Sequence, residues 1–101
     1  MNIAVTTTNE VLTRLHVFKE SHQAEYCLIS LGVFGSFARG EGNEDSDVDV
    51  FFETSEPNLF RTSHMKQELE ELLARRVDVV RLRERMNSRL KQNILRDACY
   101  V

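Results

Sequence analysis

Long apolar runs are missing from this chain: nowhere do 18 or more apolar residues follow one another, so no membrane-spanning helix is expected. The start, Met1-Asn2-Ile3-Ala4-Val5-Thr6-Thr7-Thr8, lacks the basic and apolar halves of a signal peptide, which points to a soluble, cytoplasmic protein. Cysteine is scarce. Cys27 and Cys99 stand far apart with neither metal-type nor redox-type spacing, and read as reduced, buried small hydrophobes. His16, His22 and His64 show no H-x-x-x-H or similar pairing, and the first two fall on an ordinary amphipathic segment, so zinc is not expected. Proline occurs once, at Pro57, and no internal repeat, low-complexity tract or interdomain linker is visible. With 42% hydrophobic and 29% charged residues, a chain of 101 residues suits one domain spanning 1–101.

What is present is segregated by charge, although the net charge is only −3. Glu41, Glu44, Asp45, Asp47, Asp49, Glu53 and Glu56 form an acidic block with no basic residue among them. Between Arg75 and Arg96 lie eight basic residues against only Asp78 and Glu84. Such clusters are usually solvated faces, but an acidic block built around Asp-x-Asp also suits divalent cations, and a basic one suits phosphates or an acidic partner.

Apolar periodicity places these features on elements. Thr7-Thr8-Asn9-Glu10 has the form of a capping box, and Val11, Leu15 and Phe18 follow on one helical stripe as far as about His22. Cys27 to Phe34 reads as a strand running into a glycine turn. Asp47 to Glu53 alternates, with Val48, Val50 and Phe52 on one face and Asp47 and Asp49 on the other. A helix over roughly Thr62–Arg75, a short strand Val77–Val80 and a last helix capped by Asn87 complete the chain, whose apolar end, Ala98 to Val101, should be packed. The order implies an α/β or α+β fold with a small sheet covered mainly on one face.

Glycine has no Cβ and tolerates positive φ, so Gly35-Ser36 and Gly40 let the backbone approach a phosphate, and Ser36 adds a hydroxyl and an amide. A short helix starting near Ser36 would turn its free amides toward an anion. Two carboxylates on one face of a strand repel unless a cation lies between them, and magnesium commonly binds such a pair together with substrate phosphates. Asp78 interrupts an apolar strand. Either it is a third carboxylate acting as metal ligand or general base, or it is an edge-strand aspartate facing water or paired with Arg75 or Arg76.

Gly35-Ser36-Phe37-Ala38-Arg39-Gly40 followed by Ser46-Asp47-Val48-Asp49-Val50 resembles the signature of the DNA polymerase beta-like nucleotidyltransferase superfamily. With Arg75-Arg76-Val77-Asp78-Val79-Val80 after a leucine-rich helix, the chain resembles the minimal nucleotidyltransferases over nearly its whole length. The resemblance implies a mixed β-sheet flanked by helices, the polymerase beta palm-like fold. It implies Asp47, Asp49 and Asp78 as catalytic, metal-binding carboxylates for Mg2+, with two ions expected, and Gly35, Ser36, Arg39 and Gly40 as the nucleotide-binding set. Arg39 either contacts phosphate or braces the acidic loop through Glu41 or Asp45. Family members of this size are typically antitoxins that move AMP from ATP to a tyrosine of a HEPN-type ribonuclease toxin. A cognate HEPN toxin is therefore the expected partner, approached through the basic block and the apolar tail. Membrane association and direct nucleic-acid binding are not expected, and a homo-oligomer is left open. The rival readings are a non-catalytic antitoxin that neutralises by binding, and a transferase acting on a small molecule or RNA.

Overall fold

The computed structural model describes residues 6–101, so most of the Met1–Thr8 stretch lies outside the described residues. The first helix, α1 (Thr8–His22), starts where the sequence places it: Thr7 accepts from the Glu10 amide at 3.2 Å, and the Glu10 carboxylate reaches back to the Thr6 amide at 3.4 Å. It buries Val11, Leu15 and Phe18. Strand β1 (Leu28–Phe34) leads into a single helical turn, α2 (Gly35–Ala38), and β2 (Val48–Thr54) follows the acidic loop.

The next helix, α3 (Leu59–Leu73), begins three residues before the expected Thr62. Asn58 explains this, because its side-chain oxygen accepts from the amides of Phe60 and Arg61 at 2.9 and 3.1 Å. The cap thus precedes the buried stripe of Met65, Leu69 and Leu73, and leaves Leu59 and Phe60 exposed. Ala74, the cap at φ 52°, ends the helix at Leu73, two residues short of the expected Arg75. Strand β3 (Val77–Arg81) and helix α4 (Ser88–Asp97) fall as expected, with Asn87 accepting from the Leu90 amide at 3.0 Å. The tail is packed, but as a strand the apolar pattern did not reveal: β4 (Cys99–Tyr100), continued by Val101 donating to the Leu31 carbonyl at 2.9 Å.

The four strands form one mixed sheet in the order β3-β2-β1-β4. The β1–β2 and β1–β4 pairs are antiparallel, and β2–β3 is parallel, as the α3 crossover between them requires. One face, with Leu31, Val33, Val48, Val50, Phe52 and Val77, packs under α1 and α3. Burying each large apolar side chain there contributes about 1.5–3 kcal/mol. The other face carries Phe34 and Phe51 beneath Ile94 of α4, so it is covered at one end and not left open throughout. No helix among the described residues is long and apolar enough to cross a membrane.

Candidate active site

Strand β1 ends in extended backbone at Phe34, and Gly35 then turns the chain at φ +74°. The turn is closed internally: Arg39 donates to the Gly35 carbonyl at 3.1 Å, and Glu41 to that of Ser36 at 2.8 Å. Buried Phe37 anchors it, and Gly40, also at φ +74°, releases the chain into the acidic loop. Gly35 and Ser36 therefore open α2, where the leading amides of a helix have no partner within it. Ser36 is half-buried, and Gly40 is exposed.

Strand pairing brings the acidic residues to this turn. In the antiparallel register Phe34 faces Asp49, and in the parallel one Asp49 faces Asp78. Val48 and Val50 point into the core, so Asp49 projects from the opposite face, and Asp47 stands immediately before the strand. The contact with the turn is close: a Cβ added at Gly35 would lie 2.2 Å from Asp49 Oδ2. Only glycine fits beside that carboxylate, for reasons of space as well as of backbone angle.

Asp49 is half-buried, whereas Asp47 and Asp78 are exposed. Burial, then the charge of Asp78, then that of Asp47 push the Asp49 carboxyl above its usual range, with Arg39 opposing them. A purely oxygen donor set whose central member is held against like charge fits magnesium, which would relieve the repulsion. The three carboxylates are neighbours in charge and register, not a closed cage. Among the described residues, the set of three ligand groups whose atoms lie within 4.8 Å of one another is His22, Glu25 and Glu68, elsewhere in the fold. The reasoning for Asp78 also changes. Its strand is a sheet edge and its side chain is exposed, so no partner is needed to offset burial. Its position opposite Asp49 is what ties it to the site.

Arg39 takes the bracing position. Its Nε lies 3.2 Å from Glu41, and another guanidinium nitrogen lies 2.7 Å from Asp97, joining the acidic loop to α4. Arg75, read from the sequence as part of the basic block and as a candidate partner for Asp78, organises the loop. One of its terminal nitrogens donates to the carbonyls of Asn43, Glu44 and Ser46 at 2.9, 3.0 and 2.9 Å, and the guanidinium sits 5.1 Å over the Phe37 ring. Glycine turn, acidic loop and first carboxylate are thus fixed to one another through Phe37 and Arg75.

The model of the nucleotidyltransferase domain family matches residues 15–101. The protein adenylyltransferase MntA of Thermococcus cleftensis is 35% identical over 100 residues, covering 98% of this chain and 100% of that one. A crystal structure of a toxin–antitoxin pair with AMP-PNP superposes with a TM-score of 0.72 at 22% identity, covering 88% of this chain and 72% of that one. The complex of a tri-AMPylated Shewanella oneidensis HEPN toxin with its MNT antitoxin gives 0.64 at 20% identity, over 88% and 68% of the two chains. At those identities the two structures establish the likeness of fold.

Proposed function

The chain belongs to the nucleotidyltransferase domain family and is a nucleotidyltransferase, and on that premise we propose that it transfers AMP from ATP to a tyrosine hydroxyl of a cognate HEPN-type toxin, as an antitoxin. The observation that carries this reading is the seating of the Asp49 carboxylate against Gly35, which sets an acidic group directly beside the glycine turn. Residues 1–101 act as a single minimal transferase domain in the cytoplasm. Its relative MntA carries the name protein adenylyltransferase, which favours a protein acceptor over a small molecule or RNA.

In this mechanism Gly35 and Ser36, with Gly40 shaping the turn, hold the triphosphate through backbone amides and the serine hydroxyl. Asp47, Asp49 and Asp78 would hold two magnesium ions, which when bound neutralise phosphate charge and align the attacking and leaving oxygens. Asp78, at the exposed edge, takes the proton of the incoming tyrosine. The tyrosine oxygen forms a bond to the α-phosphorus, the bond from that phosphorus to the bridging oxygen breaks, and pyrophosphate leaves with the electron pair. Arg39 braces the acidic loop against α4 and contributes its charge beside Asp49.

Incubation with labelled ATP, Mg2+ and the HEPN-type product of a neighbouring gene tests this by intact mass. AMP increments on the partner, absent with Asp47→Ala, are expected. Neutralisation retained by Asp47→Ala without any increment would replace the transferase reading with a binding one, and label on RNA or a small molecule would reject the protein acceptor.

A further inference from the structure

A second group of ligand-type side chains gathers at the opposite end of the strands. Thr54, whose hydroxyl donates to the Tyr26 carbonyl at 2.9 Å, closes β2 five residues beyond Asp49, about 17 Å away at ~3.4 Å per residue. There the end of α1, the turn after it and the middle of α3 converge. Glu68 is the centre: one carboxylate oxygen lies 3.0 Å from His22 Nε2, the other 3.0 Å from His64 Nε2, and the Tyr26 hydroxyl donates to it. Glu25 brings a second carboxylate, its ligand atom within 4.8 Å of those of His22 and Glu68. His64 and Glu68 are four residues apart on one helix face, and His22 and Glu68 are each about a quarter exposed, 27% and 26%, whereas Glu25 is exposed, so the group is open to an ion from solvent.

The orientation of His22 points to a cation. Its ring stacks on Phe18 at 4.3 Å and 11°, and its Nδ1 lies 3.2 Å from the Phe18 carbonyl. A neutral imidazole donating through Nδ1 presents the Nε2 lone pair outward, the tautomer found in metal-ligating histidines whose other nitrogen is held by a carbonyl. In that tautomer the lone pair and a Glu68 oxygen 3.0 Å away are placed to share one divalent ion. One imidazole and two carboxylates around one point favour a transition metal, since mixed nitrogen and oxygen donors suit first-row divalent transition ions better than magnesium, while His64 holds the other oxygen of Glu68.

We propose that His22, Glu25 and Glu68 form a site for a divalent transition-metal ion of the Zn2+ type, which fastens the end of α1 to α3 and is separate from the carboxylates of the transfer site. The sequence does not show the site because His22 and Glu68 are 46 positions apart and meet only through the packing of α1 on α3.

Titrating the chelator-stripped full chain with Zn2+, and with Co2+ for its visible absorption, tests the site. One ion per chain is expected, with a tetrahedral Co2+ spectrum. Zn2+ at about a hundred times its dissociation constant should raise Tm by on the order of 10 °C. Glu25→Gln, at an exposed position, should weaken binding at least tenfold with the metal-free fold unchanged by circular dichroism, and His22→Gln should do the same. An Asp47→Asn/Asp49→Asn chain should bind Zn2+ as the parent does. Failure to bind one equivalent, unchanged binding in the Glu25→Gln chain, or loss of binding in the aspartate variant would overturn the proposal. So would a His22 Nε2 proton, seen by histidine NMR, that persists with saturating Zn2+.

Discussion

Replacing Gly35 by alanine separates two demands that this position meets at once. The backbone angle of +74° disfavours any L side chain, and in a left-handed conformation alanine is expected to lose about 1–2 kcal/mol of stability. The second demand is spatial. The new Cβ would fall 2.2 Å from Asp49 Oδ2, and since ordinary contact begins near ~3.5 Å, the carboxylate must retreat by roughly 1 Å. A displacement of that size at a reacting centre lowers rates by about a hundredfold. Gly40 supplies the control: it has the same φ of +74°, but a Cβ there meets nothing within 4 Å. Gly35→Ala and Gly40→Ala should therefore lose similar stability in urea unfolding, whereas single-turnover AMP transfer should fall much further in Gly35→Ala than in Gly40→Ala. Equal loss of rate in the two variants would refute the idea that the glycine exists to seat Asp49.

Asp49→Asn should abolish transfer while stabilising the protein in chelator at neutral pH. Because the Asp49 carboxyl is held above its usual range, its contribution to folding is favourable while it is protonated and is lost as pH rises through its folded-state value. The Tm advantage of the asparagine variant should accordingly shrink as pH falls toward the ordinary aspartate value, and a larger advantage in acid would be the wrong sign. Arg75→Gln removes a charged donor shared by three carbonyls and should lower stability by about 1–2 kcal/mol in urea unfolding. It should also slow AMP transfer by loosening the loop that leads to Asp47, and Arg75→Lys should not restore the rate, since an ammonium lacks the planar face laid over Phe37.

Local patterns were readable from the chain and distant coincidences were not. Asp49 could be assigned to the face away from the core because a strand has period 2, and the register agrees, whereas Asp47 stands just outside the strand and has no place in the register. The α1 start was legible because Thr7 and Glu10 form their cap within a single turn. The Asn58 cap acts ahead of the apolar stripe, so periodicity could not date the start of α3. A strand of two residues, β4, is too short to carry any period, and its pairing partner lies at Gly32 and Val33. Arg75 was hidden among other arginines because its targets are main-chain carbonyls, which every sequence possesses. Asp78 was picked out as an acid in an apolar strand, but the structure gives a different reason for its place: alignment with Asp49 across a parallel pair.

That alignment is set by register, and register in a sheet is all or nothing. Sliding β3 by one residue against β2 would turn Asp78 toward Leu69 and Leu73 and expose Val77, inverting the strand from core to solvent. No intermediate offset exists in which the acidic group is merely somewhat misplaced. The same buried valines that hold the sheet together therefore act as a proofreading device for the position of Asp78. Molecules in a population should accordingly be either fully assembled at this edge or wholly without it, and weak core mutations should lower the number of competent molecules before they lower the rate of each one.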